Sequence, residues 1–394
     1  MNVMRHLRVP NGLVEAALGQ MKAEQWLAIG YRVMSDEDGQ HRLIPISPGA
    51  PPLLDGLTPA YEVVDVEGLP DDRPSTDWWK HLTDTLGEAE VALHGEAWPS
   101  NHEFIGDMMI LRIDDAVCQH TKAIVKAKMQ SHPHVRLVMK DRGVQGELRI
   151  RDIEPIGCRD GEDILTSDFP PHLIETRVMV RESGKNILCD PTKAYFSTKL
   201  QAERLETRKL AIELREKLGR PLRVCDPFCG VGPALSTLLT EPELVGSLLA
   251  ADLNPDAIEM LLDNLRRWDK REYPKDPAPI TRVYDDRTVG FADALKLPED
   301  QSIAGQWDVL LVNIPHRTIE FLPSLVPLLD RTTPSLVRGR AIVEENGIEE
   351  ANRAIRQALP PTLEGHTEPS LTIKRDYSST LRLCSFEAWI SPES

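Results

Sequence analysis

The feature that most constrains the fold is an alternation of apolar runs and helical segments after about residue 186. The segment 200–218 reads as a long helix that ends at Gly219 and Pro221, the usual stop signals. A second helical segment, 256–268, carries apolar residues at i, i+3, i+4 and i+7. Short apolar runs typical of strands recur between and after them; they span 222–225, 248–251, 307–312, 371–373 and 381–390. This alternation predicts an α/β domain with a mainly parallel, doubly wound sheet.

The length and composition indicate a globular protein of two or three domains. The chain has 394 residues, of which 41% are hydrophobic and 27% charged. No run approaches the roughly 18 apolar residues of a membrane span, so we expect no membrane association. The first residues lack a signal-peptide pattern, and six cysteines are too few for a disulfide scaffold. We therefore expect a cytoplasmic protein with reduced thiols.

The net charge of −16 argues at first sight against a nucleic-acid partner, which needs Lys and Arg. The charge is unevenly distributed, however. Residues 121–151 contain eight Lys and Arg against two acids, and residues 173–223 contain twelve against seven. The acidic excess lies outside these two segments. Either the basic segments form a binding face or they are ordinary solvated surfaces, and the pattern alone leaves both open.

Two smaller regions precede the α/β domain. Residues 1–70 end in a Pro- and Gly-rich stretch typical of loops, which predicts a small N-terminal domain. Residues 76–185 read as an α+β domain, and 186–394 as the α/β domain. Within the middle domain we predict a helix at 116–129 and strands at 108–113, 135–139 and 146–153. The last of these alternates charged and apolar residues, so its charged face would carry Glu147, Arg149 and Arg151.

The strongest local motif is the loop Asp226-Pro227-Phe228-Cys229-Gly230-Val231-Gly232-Pro233, directly after a strand and before a helix. In open α/β sheets a ligand binds beyond the carboxyl ends of the strands, and glycines let the backbone approach it. The loop is neither a P-loop nor a full G-x-G-x-x-G motif. By itself it is equally compatible with an ordinary tight turn.

Three further strand ends carry polar residues in an order that favours a nucleoside ligand. Asp252, with Leu253 and Asn254, follows the second strand, where an acid can accept both ribose hydroxyls. Asp293 follows a presumed third strand, where it can accept from an adenine amino group. Asn313 ends the fourth. Together these sites predict S-adenosylmethionine as the cofactor, and the missing third glycine disfavours a dinucleotide.

The residues after Asn313 do not form a stacking platform for an amino base. Ile314 stands where a first proline would be expected in an Asn-Pro-Pro-aromatic motif, and His316 stands in place of the aromatic residue. We interpret His316 as a surface or capping histidine.

These motifs resemble those of the archaeal and eukaryotic tRNA (guanine-N1)-methyltransferases, which modify the guanine at position 37 beside the anticodon. The resemblance rests on Tyr195 to Arg204, the loop 226–233, and the strand-end residues after it. Upstream it includes His102 to Asp107, Gly146 to Arg151 and the hairpin Val180 to Gly184. It covers residues 100–394 well, and before residue 100 it rests on size and position. The resemblance implies a class I, Rossmann-like methyltransferase domain preceded by two smaller α+β domains, the first of which contacts tRNA.

The resemblance also implies roles for individual residues. Glu203 matches the general base, Asn313 the strand-four asparagine, and Arg149 or Arg151 the arginine on the guanine. The implied cofactor residues are Tyr195, Asp226, Phe228, Gly230, Gly232, Asp252, Leu253, Asn254, Asp293 and Asn313. The implied substrate-binding residues are Arg151, Arg181 and Lys199. Two departures are Thr198-Lys199 in place of Pro-Arg and about a dozen extra residues around 158–173.

The residue types suit this chemistry. Guanine N1 carries a proton, which a carboxylate within hydrogen-bond reach can remove as general base. An arginine on guanine O6 would stabilise the charge that develops there. Glu203 could instead be a helix-surface acid paired with Arg204 or Lys199. Arg149 could instead pair with Glu147 or Asp152.

Other functions remain open at this point. An enzyme of the same lineage could act in wyosine formation, by transferring aminocarboxypropyl or by methylating the tricyclic base. A tRNA-binding module without activity is a third reading. Cys225 and Cys229 have no second pair nearby, so we expect no metal site. We expect the protein to be a monomer.

Overall fold

A computed structural model describes residues 3–28, 30–52, 61–71, 77–146, 148 and 150–393. The chain forms two compact units, Met1–Asp77 and Trp78–Ser394. We call them the N-terminal unit and the main unit. The finer division of the chain at residues 70, 76 and 185 stays a prediction.

The N-terminal unit is built on an antiparallel sheet. Its strands are β1 Val3–Pro10, β2 Met34–Ser35, β3 His41–Pro45 and β4 Glu62–Glu67, in the order β2-β3-β1-β4. Helix α1 spans Val14–Ala23. Leu7, Met21 and Ile44 are buried in one cluster, which gives this unit a hydrophobic core of its own.

The first part of the main unit is a mixed five-stranded sheet with a helical layer. Its strands are β5 His102–Ile105, β6 Met108–Leu111, β7 Leu137–Gln145, β8 Ile150–Asp160 and β9 Asp163–Leu165, paired in chain order. Its helices are α2 Trp78–Leu86, α3 Glu88–His94 and α4 Thr121–Ser131. Helix α4 connects β6 to β7, the parallel pair of this sheet, as a crossover must.

Three predicted elements of this region begin later than the sequence pattern indicates, and the strand predicted at 135–139 begins at Leu137. The segment predicted as a helix at 116–129 starts with a 3-10 helix, Asp115–His120, before α4. The strand predicted at 146–153 is wrong at its start, because Gly146 has φ +67° and lies in the turn between β7 and β8. That left-handed conformation favours glycine and ends a strand. Strand β8 therefore begins at Ile150.

A two-stranded hairpin lies in the chain between the five-stranded sheet and the second part of the main unit. Strands β10 Val178–Glu182 and β11 Lys185–Cys189 pair through a tight turn in which Ser183 has φ +49° and Gly184 has φ +77°. Positive φ at both central residues matches the right-handed twist of the flanking strands.

The second part of the main unit is an eight-stranded sheet in the order β14-β15-β13-β12-β16-β17-β19-β18. The strands are β12 Leu222–Asp226, β13 Val245–Asp252, β14 Thr281–Tyr284, β15 Arg287–Phe291, β16 Val309–Val312, β17 Ser335–Glu344, β18 Thr372–Asp376 and β19 Leu381–Ile390. The five central strands are parallel, whereas β14, β18 and β19 pair antiparallel to their neighbours. The predicted mainly parallel sheet is confirmed.

Helices accompany this sheet and bury both of its faces. They are α5 Gln201–Leu218, α6 Pro233–Leu239, α7 Pro255–Asp269, α8 Thr318–Leu325 and α9 Ile348–Ala358. Neighbouring residues in one strand enter opposite cores: Val224 joins the cluster with α5, α6 and α7, and Cys225 joins the cluster with α8 and α9. Burial on both faces explains why these strands are almost wholly apolar in sequence.

The strand order fixes where a ligand can bind. From β12 the chain adds β13 and β15 on one side and then β16 and β17 on the other, so the order reverses between β12 and β16. Such a switch point opens a crevice at the carboxyl ends of the strands. In the part of the chain that the structure describes, no helix has the length and apolar character needed to cross a bilayer.

Candidate active site

A cavity of about 560 Å³ lies at this switch point. Its volume falls within the range of small-molecule sites. The loops that follow four parallel strands line it; they contribute Pro227 to Gly230, Asp252 to Asn254, Ala292 to Leu295, and Asn313 to Arg317. Tyr195 and Leu148 add to the wall from other parts of the main unit.

The glycine-containing loop after β12 has two distinct roles. Gly230 lines the cavity with φ +53°, and its N–H donates to Asp252 Oδ2 at 2.8 Å. Gly232 does not line the cavity. A Cβ on Gly232 would lie 2.5 Å from Leu261 Cδ1 and 3.0 Å from the ring of Trp268, so this glycine is needed where α6 approaches α7.

Asp226 lies beneath the loop and does not line the main cavity. It is buried, and it accepts the backbone N–H of Phe228. Burial raises the pKa of its carboxyl to about 7. Its Oδ1 has no hydrogen-bond partner among the described residues. Asp226 thus supports the loop from below, and its predicted contact with the cofactor stays a prediction.

The residues at the end of β13 and directly after it form part of the cavity wall. Asp252 accepts from Gly230 through Oδ2 and from the Asn254 N–H through Oδ1, at 3.0 Å, and burial raises the pKa of this carboxyl. The Leu253 N–H also faces this carboxylate, which leaves about one acceptor position for a ligand hydroxyl. Asn254 caps α7 by accepting from Asp256, and its amide donates to the Lys193 carbonyl. Leu253 is about half exposed on the same wall.

The lining also combines an acid with aromatic rings. Asp293 is exposed and caps the 3-10 helix Ala294–Glu299 by accepting from the Leu295 N–H at 3.0 Å. Phe228 and Phe321 stack with their centroids 6.2 Å apart. The cavity therefore offers apolar surface together with carboxylates, a combination that suits a nucleoside.

A guanidinium connects the two predicted catalytic residues of this region. Arg340 on β17 donates from Nε to Glu203 Oε2 at 2.8 Å and from Nη1 to Asn313 Oδ1 at 2.8 Å. Arg340 and Asn313 line the cavity, while Glu203 lies behind them, 6% exposed, near the start of α5. Burial lowers the pKa of the Arg340 guanidinium, and the Glu203 carboxylate opposes that effect.

The sequence left open that Glu203 is an acid on the surface of its helix. In the structure it is buried instead. Its partner is neither Arg204 nor Lys199. Arg204 instead binds Glu182 of the β10–β11 hairpin and the Ser197 carbonyl. Arg340 was missed by sequence reasoning, although two arginines, Arg338 and Arg340, inside the mostly apolar run of β17 are a signal that could have drawn attention to it.

The predicted substrate residues are dispersed. Arg149 and Glu147 lie outside the described residues. Arg151 forms an ion pair with Glu103 at 2.8 Å, with both side chains largely buried, and its guanidinium lies 5.8 Å from the Tyr195 ring centroid. Arg181 and Lys199 are exposed and do not line the cavity. Residues outside the predicted set also line it, among them His316 and Tyr377, whose ring centroids lie 5.4 Å apart.

The two basic segments do not form a uniformly free basic face. Several of their arginines pair with acids; the pairs include Arg136 with Asp107, Arg142 with Glu154, Arg151 with Glu103 and Arg177 with Glu259. Lys128 is buried with its Nζ 3.6 Å from the Trp78 ring centroid, and burial lowers its pKa to about 8. Lys122 and Lys126 are exposed. Local charge counted from the sequence therefore overstates the charge available to a partner.

Comparison with known proteins relates the chain to tRNA-modifying enzymes. Residues 80–161 match the family model of the TYW2 N-terminal domain. The tRNA (guanine(37)-N(1))-methyltransferase Trm5b of Pyrococcus abyssi is 28% identical over 233 residues, which is 59% of this chain and 57% of that protein. The match thus spans little more than half of that relative's length. It confirms the resemblance drawn from the sequence motifs.

Solved structures share the fold. The aTrm5 of a complex with tRNALeu has a TM-score of 0.60 at 19% identity, with 98% of this chain and 99% of that chain covered. TYW2 of P. horikoshii, solved in complex with MeSAdo, has a TM-score of 0.54 at 15% identity, with 80% and 99% covered. The predicted α/β class with a Rossmann-like domain is confirmed.

Proposed function

We propose that this chain transfers a methyl group from S-adenosylmethionine to N1 of the guanine at position 37 of tRNA. One observation carries the proposal: Arg340 joins Glu203 to Asn313 at the wall of the switch-point cavity. This arrangement brings a carboxylate and a strand-end amide to one side of a nucleoside-sized site. The Trm5b relative, named for this reaction, supports it.

The cavity residues fit the cofactor. A Cβ at Gly230 would meet only the Tyr195 carbonyl, at 4.0 Å, so the loop leaves open space beside it. Asp252 has an acceptor position left for a ribose hydroxyl, and Asp293 is exposed for the adenine amino group. Phe228, Leu253 and Ala292 provide apolar surface. S-adenosylmethionine, when bound, supplies the methyl group as an activated sulfonium.

Glu203 is proposed as the general base. Arg340 holds its Oε2, and Oε1 makes no hydrogen bond with the described residues, so Oε1 is the oxygen available to the N1 proton. Removal of that proton by Oε1 would leave an electron pair on N1 to take up the methyl group, whose bond to the sulfonium sulfur would break. Since Glu203 does not line the cavity itself, guanine must approach through the layer formed by Arg340 and Asn313.

The arginine on guanine O6 is proposed to be Arg149. Its alternative, Arg151, is committed to an ion pair with Glu103. Leu148, the residue before Arg149 in the sequence, lines the cavity. The carboxylate partner of Arg151 therefore favours Arg149 for the guanine and leaves Arg151 to support Tyr195.

The partner is proposed to be tRNA, which the aTrm5 complex with tRNALeu supports. Arg181 and Lys199 are exposed and remain proposed phosphate contacts. The N-terminal unit is proposed to contact the tRNA body, in keeping with the predicted first domain at 1–70. The proposal includes a monomer that acts in the cytoplasm.

The test is nucleoside mass spectrometry of a tRNA transcript incubated with the protein and S-adenosylmethionine. A transcript with guanine at position 37 should yield a nucleoside heavier by one methylene group that co-elutes with N1-methylguanosine. The same transcript with adenine there should yield none. Equal labelling of both transcripts would overturn the proposal, and cofactor binding without any product would favour an inactive tRNA-binding module.

A second candidate is a wyosine-pathway enzyme of the same lineage. The match of residues 80–161 to the TYW2 N-terminal domain and the fold shared with TYW2 of P. horikoshii favour it. The same experiment separates the two, because transfer of aminocarboxypropyl adds the mass of that group and requires a tricyclic base as substrate. Methylation of the tricyclic base would be seen only with that modified substrate.

A further inference from the structure

A cluster of metal-ligand side chains lies apart from the cavity, in the helical layer over the five-stranded sheet. Glu90 and His94 are one helical turn apart on α3, so they share a face of that helix. His120 is the last residue of the 3-10 helix Asp115–His120. One oxygen of Glu90 and one ring nitrogen of each histidine all lie within 4.8 Å of one another. None of the three lines the cavity.

The contacts within this cluster are close but are not hydrogen bonds. His120 Nε2 lies 3.0 Å from Glu90 Oε1, and His94 Nε2 lies 3.4 Å from the same oxygen. Both Nε2 atoms are buried and have no hydrogen-bond partner among the described residues. Buried imidazole nitrogens are normally satisfied. The two unsatisfied Nε2 atoms both face the Glu90 carboxylate, so all three side chains could bind one common atom.

The rings are held in place by the core beneath them. The ring centroid of Trp98 lies 5.5 Å from that of His94 and 5.5 Å from that of His120. Trp98 is itself buried and donates from Nε1 to the Val91 carbonyl at 2.8 Å. A fixed aromatic support of this kind orients ligand side chains before an ion binds.

We propose that Glu90, His94 and His120 bind a divalent transition-metal ion, with zinc as the ion whose chemistry they fit best. Two imidazole nitrogens and one carboxylate oxygen form a known zinc ligand set, with a fourth position left for water. Ca²⁺ and Mg²⁺ prefer all-oxygen sites, so they fit poorly. The ion would tie α3 to the segment before α4 and thereby stabilise the helical layer. This revises the expectation of no metal site.

A second cluster of possible metal ligands, in the N-terminal unit, is already bound by an arginine. Asp36, Asp38 and His41 also bring possible ligand atoms together. Here, however, Arg8 binds the carboxylates of both Asp36 and Asp38, and backbone N–H groups of Gln40 and His41 donate to Asp38. The arginine already supplies the positive charge that a cation would bring. This cluster provides a matched control.

The test is titration of ZnCl₂ into the full-length, tag-free, metal-stripped protein, followed by calorimetry and elemental analysis. Wild type should bind one equivalent. Glu90→Gln, His94→Ala and His120→Ala should each weaken zinc binding by at least about 10-fold, because loss even of an outer-sphere partner costs that much. His41→Ala should bind as wild type does, and MgCl₂ should not compete.

Thermal unfolding gives an independent readout. Zinc should raise the midpoint of the wild type and of His41→Ala but not of His120→Ala, since only a ligand of the folded state stabilises it. Far-UV circular dichroism checks that each variant is folded. If a histidine variant does not fold, Glu90→Gln provides the test in its place. Absence of a bound equivalent in wild type, or equal affinity in wild type and all three variants, would overturn the site.

Discussion

Arg340 and Glu203 form a buried ion pair, with Nε 2.8 Å from Oε2, although 137 residues separate them in the chain. The same guanidinium donates to Asn313 Oδ1 at 2.8 Å. Arg340 is therefore a positioning residue for both proposed catalytic groups. A carboxylate that is buried and held at one oxygen keeps its second oxygen in a fixed direction, which is what a general base requires.

Arg340→Lys should lower both stability and turnover. A lysine ammonium keeps the charge but cannot hold Glu203 and Asn313 in the fixed geometry of a planar fork. Breaking a buried pair costs about 3–5 kcal/mol when a charge is left unpaired, and the lysine should cost less than Arg340→Ala. Urea unfolding measures the stability, and single-turnover methylation measures the rate.

Arg338→Lys is the matched control for Arg340. Arg338 lies two residues away on β17 and pairs with Glu206 and Glu387, which are about half exposed. Arg338→Lys should lose less stability than Arg340→Lys and should keep the wild-type methylation rate. Equal rate losses in both variants would show that Arg340 acts only through the general packing of β17.

Glu203→Gln should reduce single-turnover methylation by about 10²–10⁴-fold, the usual contribution of a general base. Affinity for tRNA should stay unchanged, because the amide is nearly isosteric and can still accept from Arg340. Glu206→Gln, which removes a half-exposed acid on the same helix, is the control and should keep the rate. An unchanged rate in Glu203→Gln would remove this residue as the base.

The positions of the strand-end residues were predictable because parallel strands are buried on both faces. The apolar runs at β12, β13 and β16 therefore stand out in sequence, and the polar residues that end them, such as Asp252 and Asn313, must meet at one edge of the sheet. The cavity indeed brings Asp252, Asp293 and Asn313 together. Their proposed roles in binding stay predictions.

Contacts between distant segments were not predictable. Sequence spacing indicates neighbours along one helix or strand, so Arg204 and Lys199 were the natural partners for Glu203, whereas the fold supplies Arg340 from β17. The start of β8 was misplaced for a different reason. Alternation continues through Gly146, and only its φ of +67° reveals a turn. Glu90, His94 and His120 meet only because α3 packs beside the 3-10 helix before α4.

Gly232→Ala should destabilise the protein more than Gly219→Ala does. Both glycines have positive φ, at +83° and +64°, so both substitutions carry backbone strain of about 1–3 kcal/mol. At Gly232 the new methyl would also meet Leu261 at 2.5 Å, while at Gly219 nothing lies within 4 Å. Overpacking adds about 1–3 kcal/mol. Chemical denaturation of the two variants measures the difference, and equal losses would mean that α6 and α7 relax freely.

The buried carboxyl of Asp226 should make stability fall as pH rises. Its pKa is raised by burial from 3.8 to about 7, so between these values the folded protein holds a proton that the unfolded chain has released. The state that binds more protons is favoured at low pH, and the free energy of unfolding therefore declines through this range. Asp226→Asn has no carboxyl to titrate at this position, so its free energy of unfolding should decline less than that of the wild type. The difference between the two declines should be on the order of a few kcal/mol at most.

Urea unfolding of wild type and Asp226→Asn between about pH 4 and pH 8 measures this difference. Asp252 also has a pKa raised by burial, so a residual decline should persist in Asp226→Asn and shrink further when Asp252→Asn is added. The Asn side chain can still accept from the Phe228 N–H, which keeps the loop intact. Parallel curves for wild type and Asp226→Asn would mean that this carboxyl is hydrated in solution, since a solvated acid is already ionised above about pH 5.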